Sequence, residues 1–164
     1  MLPPFDRAAL IEPLIPDDAA AIARLLAASM PDAWDEGMVA ECLAAGSFGF
    51  VMRRDSEQEG SAAGLVACGI LRVVGHEAEI LQLAVAGPCR RRGIGGGMLR
   101  RLLGECARRA VEVVFLEVRA GNQAARDLYF RAGFAEVGMR ERYYRDGEQA
   151  VVMAVTLSFP LPPG

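Results

Sequence analysis

The spacing of hydrophobic and polar residues predicts an α/β fold, with a central mixed β-sheet of six to seven strands and about four helices on its faces. Seven segments are short and apolar, as strands are: 8–15, 47–54, 62–74, 77–85, 111–118, 134–144 and 149–157. Four segments carry apolar residues at helical spacing: 16–30, 35–45, 94–110 and 123–132. Strands come first, and the order β–α–β–α–β–β that follows is typical of a mixed sheet with helices on its faces.

Local signals at the helix ends and in one strand support these segments. Pro16 and two acidic residues open the first helix, while Asn122 and Gly133 mark the start and the end of the fourth. The third helix has an apolar residue every four positions: Ile94, Met98, Leu102 and Cys106. Residues 111–118 are almost continuously apolar, which is typical of a parallel strand covered on both faces.

The length and composition of the chain fit one globular domain. With 164 residues, 52% hydrophobic content and a mean hydropathy of +0.22, the chain has enough apolar surface to fold around a core. We expect a single domain over residues 1–158 and a tail over 159–164. No apolar run approaches the ~20 residues of a membrane span, and the first residues lack the regions of a signal peptide. These features predict a cytoplasmic protein that does not bind membranes.

The cysteines and the histidine indicate core thiols and not a metal centre. Cys42, Cys68, Cys89 and Cys106 do not form a C-x-x-C pair, and His76 is the only histidine. Zinc sites draw their ligands from closely spaced cysteines and histidines, so we expect no metal. The apolar residues around these cysteines favour buried free thiols in a reducing compartment.

Charge is distributed unevenly along the chain. Residues 1–89 hold 13 acidic residues and 5 arginines, whereas residues 90–164 hold 8 acidic residues and 13 arginines. The net charge of −3 and the pI near 5.3 argue against nucleic-acid binding. An acidic first part and a basic second part suit a cationic acceptor and an anionic cofactor. Solvated charged faces would give the same composition.

One segment combines arginine and glycine directly before a predicted helix. Residues 89–97 read CRRRGIGGG. A helix N-terminus offers free backbone N–H groups and the positive end of the helix dipole, which bind phosphate. A dinucleotide fingerprint does not fit, because Met98 stands at the third glycine position and no βαβ unit precedes it. A P-loop does not fit either, since the chain contains no lysine.

What remains, Arg90-x-x-Gly93-x-Gly95, resembles the acetyl-CoA pyrophosphate loop, Q/R-x-x-G-x-G/A, of the GNAT superfamily of N-acetyltransferases. Residues 116–134 (LEVRAGNQAARDLYFRAGF) and 140–153 (RERYYRDGEQAVVM) are similar to the bacterial ribosomal-protein-alanine N-acetyltransferases (RimI type) of that superfamily. QLAV at 82–85 resembles the fourth strand of the same group. The resemblance implies a GNAT fold and acetyl-CoA-dependent transfer to the N-terminal α-amine of a ribosomal protein or another peptide.

The resemblance implies two catalytic residues. Glu117, in the LEVR motif, matches the family's general base, and Tyr129 matches its general acid. Acetyl transfer from a thioester needs a neutral amine and a protonated leaving thiolate, so a carboxylate and a phenol suit these roles. From the residues alone, Glu117 pairing with Arg119 or a tyrosine to stabilise the strand, and Tyr129 packing in the core, are open alternatives.

The resemblance also implies cofactor and acceptor contacts. The cofactor enters where the fourth and fifth strands separate, and its contacts are Leu83, Ala84, Val85, Arg90, Arg91, Arg92, Gly93, Ile94, Gly95, Gly96, Gly97 and Asn122. The family places aromatic residues such as Tyr143 and Tyr144 over the acceptor, and we expect one of these two to contact it, while Asp35 and Glu36 border the acceptor groove. As strand residues, the two tyrosines would instead face opposite sides of a hairpin. We interpret Trp34 as a core anchor.

The acceptor and the oligomeric state stay open at this point. The resemblance is close over residues 80–155 but is limited to element order and the AWDE segment over residues 1–75, which shape the acceptor site. A small-molecule amine, a lysine side chain, and a non-catalytic acyl-CoA-binding domain are the alternatives. An α-amine, with a pKa of about 7.7–8.0, is partly neutral at physiological pH, whereas lysine near 10.4 is protonated. A single carboxylate base therefore favours the α-amine.

Overall fold

The computed structural model describes residues 11–53 and 64–158, in which seven strands form one sheet. The strands are β1 (Ile11–Pro13), β2 (Phe48–Arg53), β3 (Leu65–Val74), β4 (Glu77–Val85), β5 (Val113–Arg119), β6 (Ala135–Arg140) and β7 (Ala150–Thr156). The helices are α1 (Ala19–Ala27), α2 (Glu36–Ala44), α3 (Ile94–Arg108) and α4 (Gln123–Arg131). The start of the strand predicted over 8–15, the loop at 55–61 and the tail at 159–164 lie outside the described residues.

The sheet is mixed, as the sequence predicts. Its strand order is β1-β2-β3-β4-β5-β7-β6, with β4 and β5 parallel and every other neighbouring pair antiparallel. Helix α3 makes the crossover between the two parallel strands, and β7 returns between β5 and β6. The predicted α/β fold is therefore confirmed.

Two hydrophobic clusters lie on opposite faces of the sheet, because side chains alternate along each strand. In β2, Phe50 and Met52 belong to the α3 and α4 side, whereas Val51 between them belongs to the α1 and α2 side. Trp34 packs at the margin of the α1 and α2 cluster, as predicted for a core anchor. Among the described residues, β5 contributes side chains only to the α3 and α4 cluster, so its other face is left for a site.

Three predicted elements differ from the structure. The helix predicted over 16–30 begins with a 3-10 turn at Pro16–Asp18, where the Asp18 carboxylate accepts the Ile15 N–H at 2.9 Å. The strand predicted over 134–144 ends at Arg140, since Arg142 adopts a positive φ of 49°. In β5, only alternate side chains are buried, so this strand is not covered equally on both faces.

The cysteines lie in the core as predicted, except that Cys42 is half-buried, and all four are free. Burial raises the pKa of Cys68 to about 12 and that of Cys106 to about 11, which keeps both thiols protonated and unreactive. Within the ranges that the structure describes, no helix has the length and apolar character needed to cross a membrane.

Candidate active site

A cleft opens where β4 and β5 separate. The two strands pair from Glu77 and Val113 to Ile80 and Leu116, and their pairing stops there. Immediately beyond, β4 carries an extra residue, Leu81, at a bulge against β3, and a bulge bends its strand. The resulting cavity has a volume of about 590 Å³ and is lined by β4, β5, α4 and the loops before α2 and before β7.

The open edge of β4 presents backbone groups to this cleft. Ala86 donates its N–H to the Val66 carbonyl, so that pair is hydrogen-bonded across β3 and β4. Bonded and non-bonded pairs alternate in an antiparallel ladder, and the N–H and C=O groups of Leu83 and Val85 therefore point away from β3. Arg90 donates its Nε–H to the Val85 carbonyl at 3.0 Å, which agrees with this direction. Ala84 is buried in the ladder.

The N-terminus of α3 lies beside the end of β4, since a Cβ at Gly95 would be 3.7 Å from Val85 Cγ2, but none of its residues is among those that line the cavity. Gly93, with φ +79°, caps the helix, and the N–H groups of Ile94, Gly95 and Gly96 have no carbonyl partner within the helix. The Gly97 N–H donates to the Gly93 carbonyl at 2.9 Å and is therefore not one of these donors. The side chains of the preceding residues are exposed: Arg90, Arg91 and Arg92.

The glycines of this turn have no packing role in the protein. A Cβ at Gly95 would lie 3.4 Å from Leu128 Cδ2 and 3.7 Å from Val85 Cγ2, which are ordinary contacts. Gly96 and Gly97 likewise have room for a methyl group. Each glycine destabilises a helix by about 1 kcal/mol relative to alanine. Packing within the protein therefore does not require glycine at these three positions.

Glu117 lies on β5 just past the last residue that pairs with β4. Its side chain is 16% exposed, and its Oε1 contacts the Nε of Arg140 at 2.6 Å. The Tyr143 hydroxyl also contacts this carboxylate, and the hydrogen bond is the main cause that raises the pKa of Tyr143 to about 12. Of the two pairings that the sequence left open, the one with Arg119 is wrong, since Arg119 pairs with other carboxylates, whereas the one with a tyrosine is present through Tyr143. The Glu117 carboxylate is therefore partly exposed in the cleft and is held in one orientation by Arg140 and Tyr143.

Tyr129 lies in α4 and lines the same cleft. Its side chain is buried, and its ring packs against that of Phe134 with centroids 5.7 Å apart. Burial raises the pKa of Tyr129 to about 12, and the neighbouring Tyr144 adds to the shift. The two sequence interpretations of this residue are therefore compatible, because the ring packs in the core while the residue borders the cavity.

Tyr143 and Tyr144 lie in the loop between β6 and β7 and not in a strand. Both backbone N–H groups donate to the Glu148 carbonyl at 3.1 Å, and both residues line the cleft. Their rings meet edge to face with centroids 5.1 Å apart. The alternative of two strand residues on opposite faces is therefore wrong, and the turn places both rings on the same side.

Two of the predicted contact residues, Asn122 and Asp35, cap helices. Asn122 lines the cleft and caps α4 through the Ala125 N–H at 3.2 Å, as predicted. Asp35 caps α2 by accepting the Met38 N–H at 2.8 Å. Asp35 and Glu36 are exposed and are not part of the cavity lining that the described residues form.

The acetyltransferase (GNAT) family matches residues 19–134, which is more than half of the chain. The chain belongs to this family. The ribosomal protein bS18-alanine N-acetyltransferase of Escherichia coli (strain K12) is 40% identical over 97 residues, a region that spans 57% of this chain and 66% of the relative, just under two thirds of its length.

Solved structures of two N-acetyltransferase-related proteins share the fold. The crystal structure of the ribosomal-protein-S18-alanine N-acetyltransferase from Escherichia coli matches with a TM-score of 0.73 and 31% identity, covering 92% of this chain and 95% of that one. The NatC complex bound to Gag peptide and CoA matches with a TM-score of 0.79 and 21% identity, covering 91% and 98%.

Two arginines of this GNAT chain border the site in ways that sequence reasoning did not predict, since Arg140 was assigned no role and Arg119 only a pairing with Glu117. Arg140 reaches Glu117 because β7 lies between β5 and β6, and this strand order is not visible in the sequence. Arg119 stands in the LEVR motif, and its position two residues after Glu117 placed it on the same strand face. The carboxylates that Arg119 binds are distant from it in the sequence, so no local sequence pattern predicts these ion pairs.

Proposed function

We propose that the protein transfers the acetyl group of acetyl-CoA to the N-terminal α-amine of a protein or peptide, with a ribosomal protein as the acceptor. The observation that carries this proposal is the convergence of Glu117 and Tyr129 on one cleft along the open edge of β4, and the end of that edge at Val85 lies beside the first turn of α3. Membership of the acetyltransferase family and the 40% identity to a ribosomal protein bS18-alanine N-acetyltransferase support it. The four free thiols suit a reducing cytoplasm.

The chain offers a binding site of the right chemistry for CoA. The free N–H groups of Ile94, Gly95 and Gly96 and the adjacent arginines would hold the pyrophosphate. The outward-facing backbone of Leu83 and Val85 and the side chain of Asn122 would hold the pantetheine arm along β4. Acetyl-CoA supplies the activated acetyl thioester, and the protein supplies orientation and proton transfer.

Glu117 and Tyr129 would carry the two proton transfers. The Glu117 carboxylate takes a proton from the acceptor ammonium, directly or through one water, and so leaves a nucleophilic amine. Arg140 at 2.6 Å fixes one carboxylate oxygen while this happens. The Tyr129 phenol donates a proton to the sulfur that leaves, and its pKa of about 12 keeps it protonated and able to donate at every physiological pH.

The acceptor of this proposal is an α-amine on a basic chain. One carboxylate is an adequate base for an amine with a pKa of about 7.7–8.0, and a poor one for lysine at about 10.4. The exposed Asp35 and Glu36 stand at the start of α2, in the acidic first part of the chain. Their charge would attract a basic ribosomal-protein terminus at long range, without direct contact in the cleft.

Replacing Gly95 by a larger residue should weaken CoA binding. We expect Gly95→Val to raise the Kd for CoA roughly ten- to a hundredfold, because side chains forced into a filled space cost about 1–3 kcal/mol. Gly104→Val is the matched control, since a Cβ at Gly104 in the same helix meets nothing within 4 Å. Calorimetric titration with CoA measures both variants.

The same titration with pantetheine tests the pyrophosphate site. Pantetheine lacks the pyrophosphate and should bind far more weakly than CoA to the unchanged protein. In Gly95→Val, the difference between the Kd for pantetheine and the Kd for CoA should become smaller. Equal affinities for CoA and pantetheine would show that the α3 turn does not hold the cofactor. Equal effects of Gly95→Val and Gly104→Val would assign the loss to the helix and not to the cleft.

A further inference from the structure

Arg119 is the centre of an ion-pair network at the rim of the cleft. It is the last residue of β5, and its side chain is 16% exposed. Its Nη1 contacts Asp146 Oδ2 at 2.8 Å and Glu148 Oε2 at 2.7 Å, and its Nη2 contacts Asp32. One guanidinium therefore binds three carboxylates, and the planar fork of arginine suits such an arrangement better than lysine does.

The three carboxylates come from two different loops. Asp32 belongs to the loop between α1 and α2, which also carries Trp34, and the other two belong to the loop between β6 and β7. The Arg119 guanidinium also lies 3.9 Å from the centroid of the Tyr144 ring. Both loops line the cleft. Arg119 thus joins the two loops to the end of the strand that carries Glu117.

Glu148 connects the network to the backbone. Its Oε1 accepts the Gly121 N–H at 2.8 Å, and its carbonyl accepts the N–H groups of Tyr143 and Tyr144. The hydrogen bond from Arg119 is the largest cause that holds the pKa of Glu148 below its usual value. Without the guanidinium, three carboxylates would repel one another at the rim, and the two loops would separate.

We infer that Arg119 is a positioning residue for the acceptor, which holds the α1–α2 loop and the β6–β7 loop at one fixed separation on either side of the acceptor amine. The inference rests on the proposed function for the identity of the acceptor. The inference assigns Arg119 no proton transfer and no contact with the cofactor, because the three carboxylates that Arg119 binds all belong to the α1–α2 and β6–β7 loops.

Replacing Arg119 should change the KM for the acceptor peptide and not the KM for acetyl-CoA. We expect Arg119→Gln to raise the KM for an alanine-starting peptide on the order of ten- to a hundredfold, because small displacements of positioning groups have effects of that size. The KM for acetyl-CoA should stay unchanged. Arg119→Lys keeps the positive charge but not the planar fork, so its KM for the peptide should lie between those of the wild type and of Arg119→Gln. Arg53→Gln is the matched control, because Arg53 also binds two carboxylates, Asp18 and Glu12, away from the cleft.

A fluorescence measurement tests the same inference without using activity. Trp34 is the only tryptophan of the chain and is partly buried two residues after Asp32. Arg119→Gln, and also Asp32→Asn if the first variant fails to fold, should increase the quenching of Trp34 by acrylamide, whereas Arg53→Gln should not.

The outcomes separate the inference from the proposed function. Wild-type quenching in Arg119→Gln, or in Asp32→Asn where Arg119→Gln does not fold, overturns the inference. A raised KM for the acceptor peptide with unchanged quenching also overturns it, since the loop would then have stayed in place. If the wild-type protein acetylates no α-amine, the proposed function fails, and the quenching comparison still shows whether Arg119 holds the loops.

Discussion

Glu117→Gln is expected to lower kcat by about 10²- to 10⁴-fold near neutral pH, the range that general-base catalysis contributes. Glutamine keeps the size and the hydrogen-bonding oxygen of the side chain but accepts no proton. The loss should shrink as pH rises through about 8, because the acceptor α-amine then deprotonates in solution without help. The affinity for acetyl-CoA should not change. Initial rates across the pH range, together with calorimetric binding, measure both effects.

The control for this substitution is Glu136→Gln. Glu136 also pairs with an arginine, Arg126, but lies on the edge strand β6 outside the cleft. Its removal should leave kcat and its pH dependence unchanged. A Glu117→Gln enzyme with wild-type rates at neutral pH would mean that the carboxylate only holds Arg140 and Tyr143 in place.

Tyr129→Phe is expected to lower kcat by about 10²-fold while leaving the stability of the fold nearly unchanged. The substitution removes only the hydroxyl, so the ring contact with Phe134 is kept. With its pKa raised to about 12, the Tyr129 phenol stays protonated until the pH approaches that value. The wild-type pH profile should therefore show no loss from Tyr129 deprotonation below about pH 11.

The leaving group provides the decisive comparison for Tyr129. An acetyl thioester of a more acidic thiol leaves without protonation, so Tyr129→Phe should cost less activity with that donor than with acetyl-CoA. An equal loss with both donors would assign the effect to packing in the cleft. No loss with either donor would leave Tyr129 as a core residue only.

Features that depend on neighbouring residues were predictable from the sequence. The strand over 77–85 has the predicted bounds, and Asn122 caps α4 as expected. These features follow from alternation, capping and glycine, which act over a few residues. The separation of β4 and β5 was implied by resemblance, and the end of their pairing after Ile80 and Leu116 confirms it.

Features that depend on tertiary contacts were not predictable in this way. Arg119 and Asp32 are separated by 87 positions in the sequence, and only the folded loops bring them together. Asp35 caps α2 through its side chain, a role that the sequence analysis did not assign to it. The Gly97 N–H is bonded within the first turn of α3, a detail fixed by where the helix begins.

The measurement that tests the central claim most directly is mass spectrometry of acceptor peptides incubated with the protein and acetyl-CoA. The set contains a basic peptide that begins with alanine and has one internal lysine, the same peptide with a blocked N-terminus, and a free polyamine. Our account predicts one acetyl group on the α-amine of the first peptide and no comparable modification of the blocked peptide or the polyamine. Acetylation of the blocked peptide or the polyamine at a similar rate, or of none of the three, would contradict it.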